Sequence, residues 1–202
     1  MTAQYTDTCI YQDHLYTIIR KSDCSQSLFD PHEHGLITHA PHTACRRGFC
    51  CRYWITDALY LEHLEVYCGD KRYPDIFGRS VGIRRGVPYE KTENGYYLPE
   101  SSGLESYSFS NRKIEYTGKI LTGYGFADKY YYPTMAFQMP YAYKNLLEFE
   151  FENGDLINTV DHSENAARYR EMLDNCPREK LFYRLDFIPY ITPPFDKVGW
   201  ED

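Results

Sequence analysis

The stretch that decides the fold runs from Arg47 to Val66 and reads RGFCCRYWITDALYLEHLEV. In its first half, apolar side chains occupy every second position from Phe49 to Ile55, which is the period of a strand with one buried face. A short polar turn leads into a second apolar run, which Glu62 and His63 interrupt, and such an interruption is typical of a β-bulge. The stretch is therefore predicted to be a β-hairpin.

A second hairpin is predicted at Leu146–Val160, LLEFEFENGDLINTV, because Asn153-Gly154 is a strong turn signal between alternating strands. Two hairpins indicate a mainly β fold, with α+β as the wider alternative, in which antiparallel sheets form a sandwich or a partly open barrel. Further strands are predicted at 14–20, 107–116, 117–126 and 181–187. The segment 130–143 contains two prolines and is predicted to be irregular or an edge strand.

One α-helix is predicted at about 163–175. Ser163 is a suitable N-cap residue, and Pro177 lies just past the end. The apolar side chains that would share one stripe of this helix are Ala166, Tyr169, Met172 and Leu173.

The length favours a single globular domain over residues 1–202. Residues 68–104 are rich in glycine, proline and charge, which predicts a long surface loop region, with Asn94-Gly95 turning a smaller hairpin inside it. Residues 193–202 form a proline-led, charged tail.

The charge is unevenly distributed along the chain. The net charge is −7, yet residues 46–85 hold eight Lys or Arg against five acidic residues, whereas residues 146–202 hold thirteen acidic residues against six basic ones. An acidic protein repels phosphate backbones and attracts basic proteins, so nucleic acid is disfavoured as the main partner. The 21 tyrosines suit either a half-buried sheet or a protein interface.

Cysteine usage and the N-terminus predict a cytoplasmic location. The seven cysteines include no CxxC pair, and the adjacent Cys50 and Cys51 would point to opposite faces of a strand, so reduced thiols are the simpler reading. The first residues lack the basic and apolar regions of a signal peptide, and no run approaches the roughly 20 apolar residues that span a membrane. No membrane partner is expected.

The run 46–66 resembles a pattern in a family of uncharacterised bacterial proteins, some of which are associated with toxin and immunity genes. The residues that carry the resemblance are Arg47, Gly48, Phe49, Trp54, Ile55, Asp57, Leu59, Tyr60 and Leu61. The aromatic-rich approach to the Phe-Glu-Asn-Gly hairpin, between Tyr130 and Gly154, is similar to a second part of that pattern. The resemblance implies a place among proteins of toxin and immunity loci and carries no catalytic residue over.

Histidines cluster in the polar connection before the first hairpin, where they could ligate a metal. Imidazole and thiolate suit zinc, although the paired close spacings of structural zinc sites are only half present. The candidate ligands are His32, His34, His39, His42 and Cys45. The alternative is a polar loop that holds histidines by chance, and the sequence predicts no cofactor.

Three carboxylates, those of Glu148, Glu150 and Glu152, alternate with apolar residues in the second hairpin. Such a row is ordinarily a solvated face of a sheet. The functional interpretation is an acidic strip that binds a basic partner. Together with the exposed rings expected at Tyr130 and Tyr131, these residues are the predicted partner-binding surface.

The leading functional hypothesis is a non-catalytic protein-binding protein, with an immunity protein that neutralises a basic toxin by steric and electrostatic occlusion as the specific case. The alternative is an enzyme or small-ligand-binding β-barrel, with Glu62, His63 and the 32–42 loop as its polar groups. A third hypothesis is a nucleic-acid accessory protein that uses the arginines of 46–85. The sequence contains no P-loop, GxSxG or HExxH motif, and Ser163 in Asp161-His162-Ser163 is read as a helix cap rather than a nucleophile.

Overall fold

A computed structural model describes residues 4–22, 27–68, 72–83, 105–131 and 138–175. These residues form one nine-stranded sheet and one α-helix. The strands are β1 (Thr8–Tyr11), β2 (His14–Lys21), β3 (Phe49–Ile55), β4 (Leu59–Val66), β5 (Gly82–Ile83), β6 (Glu105–Lys113), β7 (Gly118–Phe126), β8 (Tyr143–Glu152) and β9 (Asp155–Asp161), and the helix is α1 (Ser163–Asp174). Among the described helices, none is long and apolar enough to cross a membrane.

The strand order is β5-β6-β4-β3-β1-β2-β7-β8-β9. Every neighbouring pair is antiparallel except β1 and β3, which run parallel. The prediction of a mainly β fold with one C-terminal helix is confirmed. The described strands form a single mixed sheet that is not closed into a barrel, because β5 and β9 lie at opposite ends of the order.

The first hairpin has the predicted alternation. The apolar side chains of β3 are buried, whereas Trp54 on the opposite face is exposed. The predicted bulge lies at Glu62, because Arg52 pairs with His63 whereas Tyr53 pairs with Leu61. Because of this extra residue, His63 lies opposite Arg52 on the outer face of the sheet.

The turns of the two hairpins meet and make the sheet curl. The amide of Leu59 donates to the carbonyl of Gly154 over 2.8 Å, and the amide of Leu156 donates to Asp57 over 2.9 Å. Asn153 and Gly154 have φ angles of 50° and 83°, which is the left-handed pair that a tight two-residue turn requires. The curl brings β3 and β4 opposite β7 and β8.

The main core fills the concave inner face of this curled sheet. Aromatic rings join its two halves, with Tyr11 against Phe149 at 4.8 Å and Tyr116 against Phe151 at 6.2 Å between ring centroids. Tyr53 and Tyr107 are fully buried in the same cluster. Many of the tyrosines are therefore structural, which explains part of their abundance.

The sequence did not predict the N-terminal strand β1. A buried ion pair of Asp7, the residue immediately before the strand, holds it in place. Both Nη atoms of Arg47 donate to the carboxylate of Asp7, with Nη1 at 3.0 Å, and the amide of Cys51 donates to the same carboxylate at 2.7 Å. The carbonyl of Asp7 accepts from the amide of Ile18 in β2. Asp7 therefore links β1, β2 and β3 from a site that is 6% exposed.

Helix α1 packs on the outer face of β7 and β8, over Leu121 and Leu146, through Ala166. The prediction of the helix is confirmed, but Ser163 does not cap it: its hydroxyl accepts from the amide of Leu146. Met172, expected on the packed stripe, is exposed. The Ser163 hydroxyl therefore satisfies an amide of β8 instead of an amide in the first turn of the helix.

Several predicted features lie outside the described residues, namely the Asn94-Gly95 hairpin, the strand at 181–187, the tail at 193–202 and most of the 68–104 region. Residues 72–83 are described, and Ile76 in this segment joins the core. The irregular character predicted for 130–143 is confirmed at its two described ends, where 3-10 turns lie at Asp128–Tyr130 and Pro140–Ala142. Residues 132–137 lie outside the described residues.

The five described cysteines are free thiols. Burial raises the pKa of Cys9 and of Cys51, which lie on the inner face among apolar side chains. A hydrogen bond from Cys50, opposed by burial, lowers the pKa of Cys45. Apart from this pair, the thiols behave as the small hydrophobic groups that the sequence predicted.

We expect Asp7→Asn to lower the free energy of unfolding by about 3–5 kcal/mol, because it removes the buried carboxylate that accepts from both Nη atoms of Arg47. Urea denaturation measures the loss. The control is Asp13→Asn, at an exposed position with a φ of 63° that asparagine tolerates. A loss below about 1 kcal/mol for Asp7→Asn would show that the ion pair does not hold the sheet together.

Two glycines with similar φ angles provide a second stability test. A Cβ at Gly154 would lie 2.2 Å from the carbonyl oxygen of Ile114, whereas a Cβ at Gly78 would meet no atom within 4 Å. We expect Gly78→Ala to cost about 1 kcal/mol for its φ alone and Gly154→Ala to cost about 2–4 kcal/mol. Equal losses in urea denaturation would contradict the close packing of Gly154 against the carbonyl of Ile114.

Candidate functional site

A polar cleft of about 550 Å³ lies on the outer face of the sheet at the β5 end. Strands β3, β4 and β6 form its floor, and residues 78–82 form one wall. The side chains that line it are those of Arg52, His63, Arg79, Ser80, Ser106 and Ser108. Every one of these six side chains can donate a hydrogen bond.

Strand pairing places the floor residues side by side. Arg52 is directly opposite His63, and His63 is directly opposite Ser108 on the next strand. The Arg52 guanidinium is held by Glu62, whose carboxylate accepts from Nε at 2.5 Å and from Nη2 at 3.3 Å. This fork uses two of the five N–H groups of Arg52 and leaves three for other acceptors.

His63 is almost fully buried at the bottom of the cleft. Its Nδ1 lies 3.3 Å from the hydroxyl of Ser108, and its Nε2 lies 3.5 Å from a carboxylate oxygen of Glu65. Within the described chain, Nε2 makes no hydrogen bond. The order serine, histidine, glutamate is that of a nucleophile with its base and orienting acid, at distances on the long side for such a relay.

The wall of the cleft contributes a second guanidinium. Arg79 is exposed, and no carboxylate of the described residues pairs with it. Ser80 follows Arg79 in sequence and also lines the cleft. Ser106, on β6, pairs with Gly82 of β5. The cleft therefore combines two guanidinium groups and an imidazole with three hydroxyls, which is a donor-rich and cationic lining.

An exposed Trp54 and a half-buried Tyr60 lie on the same face of the sheet as the cleft. Trp54, which is 46% exposed, lies two residues beyond Arg52 on the same face of β3 and pairs across strands with Tyr60. The Tyr60 hydroxyl donates to Asp57 at 3.3 Å, and burial together with that carboxylate raises the pKa of Tyr60. The hydroxyl therefore stays protonated at neutral pH. We call the set Arg52, Trp54, Tyr60, His63 and Arg79 the recognition face.

The predicted acidic strip is not one exposed surface. Glu148 is 4% exposed, lies 3.1 Å from Lys119 Nζ and 3.5 Å from His162 Nε2, and is covered where α1 packs on the outer face. Glu150 lies 3.8 Å from the same lysine, and only Glu152 is exposed. The expectation of a solvated row was wrong for Glu148, because the helix folds back over the strand that carries it.

Tyr130 and Tyr131 lie at the other end of β8 from Glu152. Tyr130 contacts Tyr141, just before the strand begins, and its hydroxyl donates to Asp174 at 2.9 Å. Tyr131 is 50% exposed. A ten-residue strand is about 30 Å long, so these tyrosines and the hairpin turn do not form the single surface that the sequence suggested.

The position of Tyr130 is fixed by a hydrogen bond at the end of α1. Lys129 and Tyr130 both donate to Asp174, and the bond from Lys129 lowers the pKa of that carboxyl most strongly. The contact anchors the 3-10 turn to the helix. Tyr130 is therefore part of the fold at this end of the molecule.

The candidate metal ligands do not lie close together in the structure. His32 lies 2.7 Å from Asp30 and 3.1 Å from Thr38, His34 stacks on Phe29, and His42 packs edge-on against Tyr5. His39 is tied through its main chain to Tyr67. In the described ranges, no group of three or more His, Cys, Asp or Glu residues is placed to hold a metal.

Sequence reasoning named Glu62 and His63 as polar groups of a ligand site, and the structure places both at the cleft or beside it. It missed Ser106 and Ser108, which alternate with Tyr107 and Phe109 along β6. That alternation was a usable signal, because polar residues between buried aromatic residues must share the outer face. Nothing in the sequence indicated that 78–82 would fold beside them.

We expect Glu148→Gln to lower the free energy of unfolding by about 1–3 kcal/mol, because it removes the negative charge between Lys119 and His162. Glu152→Gln, in the same strand but exposed, should change it by less than about 0.5 kcal/mol. Urea denaturation of the two variants makes the comparison. Equal effects would mean that Glu148 has no structural role distinct from that of an exposed carboxylate.

The chain was compared with protein-family models, with curated proteins and with solved structures, and no match was found in any of the three.

Proposed function

We propose that this chain is a non-catalytic protein-binding protein and that it binds its partner through the recognition face. The observation that carries the proposal is the exposed indole of Trp54 beside Arg52 and Tyr60, on the face that also holds the cleft. The mechanism is steric occlusion, in which the partner's surface is covered where the indole and the cleft engage it.

Residue chemistry supports this assignment. Tryptophan, tyrosine and arginine are the three residue types that most often dominate the energy of protein interfaces. Trp54 and Tyr60 are opposite each other on adjacent strands of the sheet. Arg52 is held by Glu62, so little of its side-chain freedom is lost on binding. A rigid sheet also presents these side chains more uniformly than a loop would.

The charge of the cleft points to an acidic group on the partner. Arg79 has no ion pair within the described chain, and Arg52 retains three N–H donors. This changes the electrostatic part of the sequence-based hypothesis, which placed a basic partner on an acidic strip. An immunity protein that occludes a toxin remains the specific form of the proposal, with the toxin contributing an acidic or otherwise anionic group.

A reducing cytoplasm is the setting that we propose with this function. The five described cysteines are free, and Cys9 and Cys51 are buried in the core as thiols. Buried thiols of this kind need no oxidising compartment to be stable.

The second candidate is an enzyme or small-ligand binder, and the contact of Ser108 with His63 beside Glu65 is the observation that favours it. A hydrolase of this kind would lose its activity on esters in Ser108→Ala, whereas protein binding through Trp54 would persist. The assay is release of nitrophenol from short-chain nitrophenyl esters by the full chain. Measurable turnover that Ser108→Ala abolishes would favour the enzyme over the non-catalytic protein.

Site-specific photo-crosslinking in the native host tests the main proposal. With p-benzoylphenylalanine in place of Trp54, we expect one dominant crosslinked protein, because a group at the centre of an interface contacts the partner directly. The same probe in place of Tyr131, which is comparably exposed but lies at the other end of the molecule, should give no such product.

Mutation then measures the contribution of the indole to binding. Against the purified crosslinked partner, Trp54→Ala should weaken binding by at least about 2 kcal/mol, roughly thirtyfold, whereas Tyr131→Ala should have little effect. Crosslinking at position 131 alone, or an unchanged affinity in Trp54→Ala, would reject the recognition face as the binding site.

A further inference from the structure

We propose that the cleft binds a phosphate monoester group. This inference deepens the proposed function, because it names the chemical group that the recognition face accepts, and it rests on that function for its location. The ligand class follows from the number, charge and placement of the hydrogen-bond donors in the cleft.

The two guanidinium groups supply the charge. Arg79, from the wall, has no carboxylate partner in the described part of the chain, and Arg52, from the floor, has donors left after its bond with Glu62. Arginine is the residue most suited to bidentate recognition of a phosphate, because its planar fork matches two phosphate oxygens. Glu62 holds the Arg52 fork in one orientation, which lowers the entropic cost of binding.

His63 fixes the floor of the cleft beneath the two guanidinium groups. Its side chain is about nine-tenths buried, it lines the cleft, and its Nε2 makes no hydrogen bond within the described residues. Its Nδ1 lies 3.3 Å from the hydroxyl of Ser108 and its Nε2 lies 3.5 Å from a carboxylate oxygen of Glu65, so the ring holds both neighbours in place on the floor.

The donor count favours phosphate over carboxylate. A carboxylate offers two oxygens with about four lone-pair sites, whereas the cleft offers two guanidinium groups and three serine hydroxyls. The three terminal oxygens of a phosphate monoester carry a larger charge and can use more of these donors. The volume of about 550 Å³ exceeds that of a phosphate group alone, so it also accommodates part of the molecule that carries the phosphate.

Isothermal titration calorimetry at low ionic strength tests the inference on the full chain. The probes are inorganic phosphate, the tripeptide Gly-phosphoserine-Gly, and acetate at the same concentrations. We expect the two phosphates to bind and acetate to bind at least about tenfold more weakly. Tighter binding of the tripeptide than of inorganic phosphate would identify a phosphorylated protein side chain as the source, and the reverse would identify a free phosphate compound.

A matched pair of arginine variants assigns the binding to the cleft. Arg79→Gln should weaken phosphate binding about tenfold, because it removes an unpaired guanidinium from the wall. Arg168→Gln removes the same charge from an exposed position of α1 and should leave the affinity within about twofold. Among the described residues, the ion pair of Arg168 is with Glu164 at 4.0 Å. Both side chains are exposed, so neither change should unfold the protein, which urea denaturation verifies.

Three outcomes would overturn the inference: no phosphate binding, equal binding of acetate, or equal weakening by the two arginine variants. Its failure is distinguishable from failure of the proposed function. A crosslinked partner at position 54 without phosphate binding would leave protein binding in place and reject the phosphate site. Phosphate binding that Arg79→Gln weakens, without any crosslinked partner, would keep the phosphate site and reject protein binding.

Discussion

The buried ion pair between Asp7 and Arg47 is the interaction on which the arrangement of the sheet depends. Its carboxylate also accepts from the amide of Cys51, so one side chain joins the start of β1 to β3. This is where the only parallel pair of described strands connects the two halves of the sheet. A neutral residue at position 7 could not balance the charge of Arg47 in this buried place, and the two hairpins would lose the link that sets them opposite each other.

The outer face of the curled sheet has two different environments, one covered by the helix and one open at a cleft. At one end α1 covers β7 and β8 and buries Glu148 against Lys119. At the other end the covering segment is 78–82, which is polar and leaves a cleft instead of a packed layer. Function is therefore expected at the β3–β4–β6 end, where Arg52 and Arg79 line an open cleft and keep N–H donors that no described residue uses.

The local structure was predictable where a residue's neighbours in sequence decide its environment. The alternation of Phe49–Ile55 and the Asn153-Gly154 turn depend on backbone geometry alone, and both hairpins were found. The exposure of Glu148 was not predictable, because it depends on a helix that begins fifteen residues later and folds back over the strand. The pairing of Arg47 with Asp7 across forty residues has no local signature either, so an arginine counted toward a basic surface proved to be buried.

The bulge at Glu62 explains how one hairpin provides both a core and a site. With strict alternation from Leu59 and Leu61, the next side chain on the inner face would be that of His63, and the core would contain a polar ring. The extra residue shifts the register, so that His63 faces outward opposite Arg52 while Leu64 and Val66 return to the core. The interruption that weakened the strand signal is thus the feature that builds the cleft. A regular β4 would bury the apolar residues less well and would leave the outer face without its imidazole.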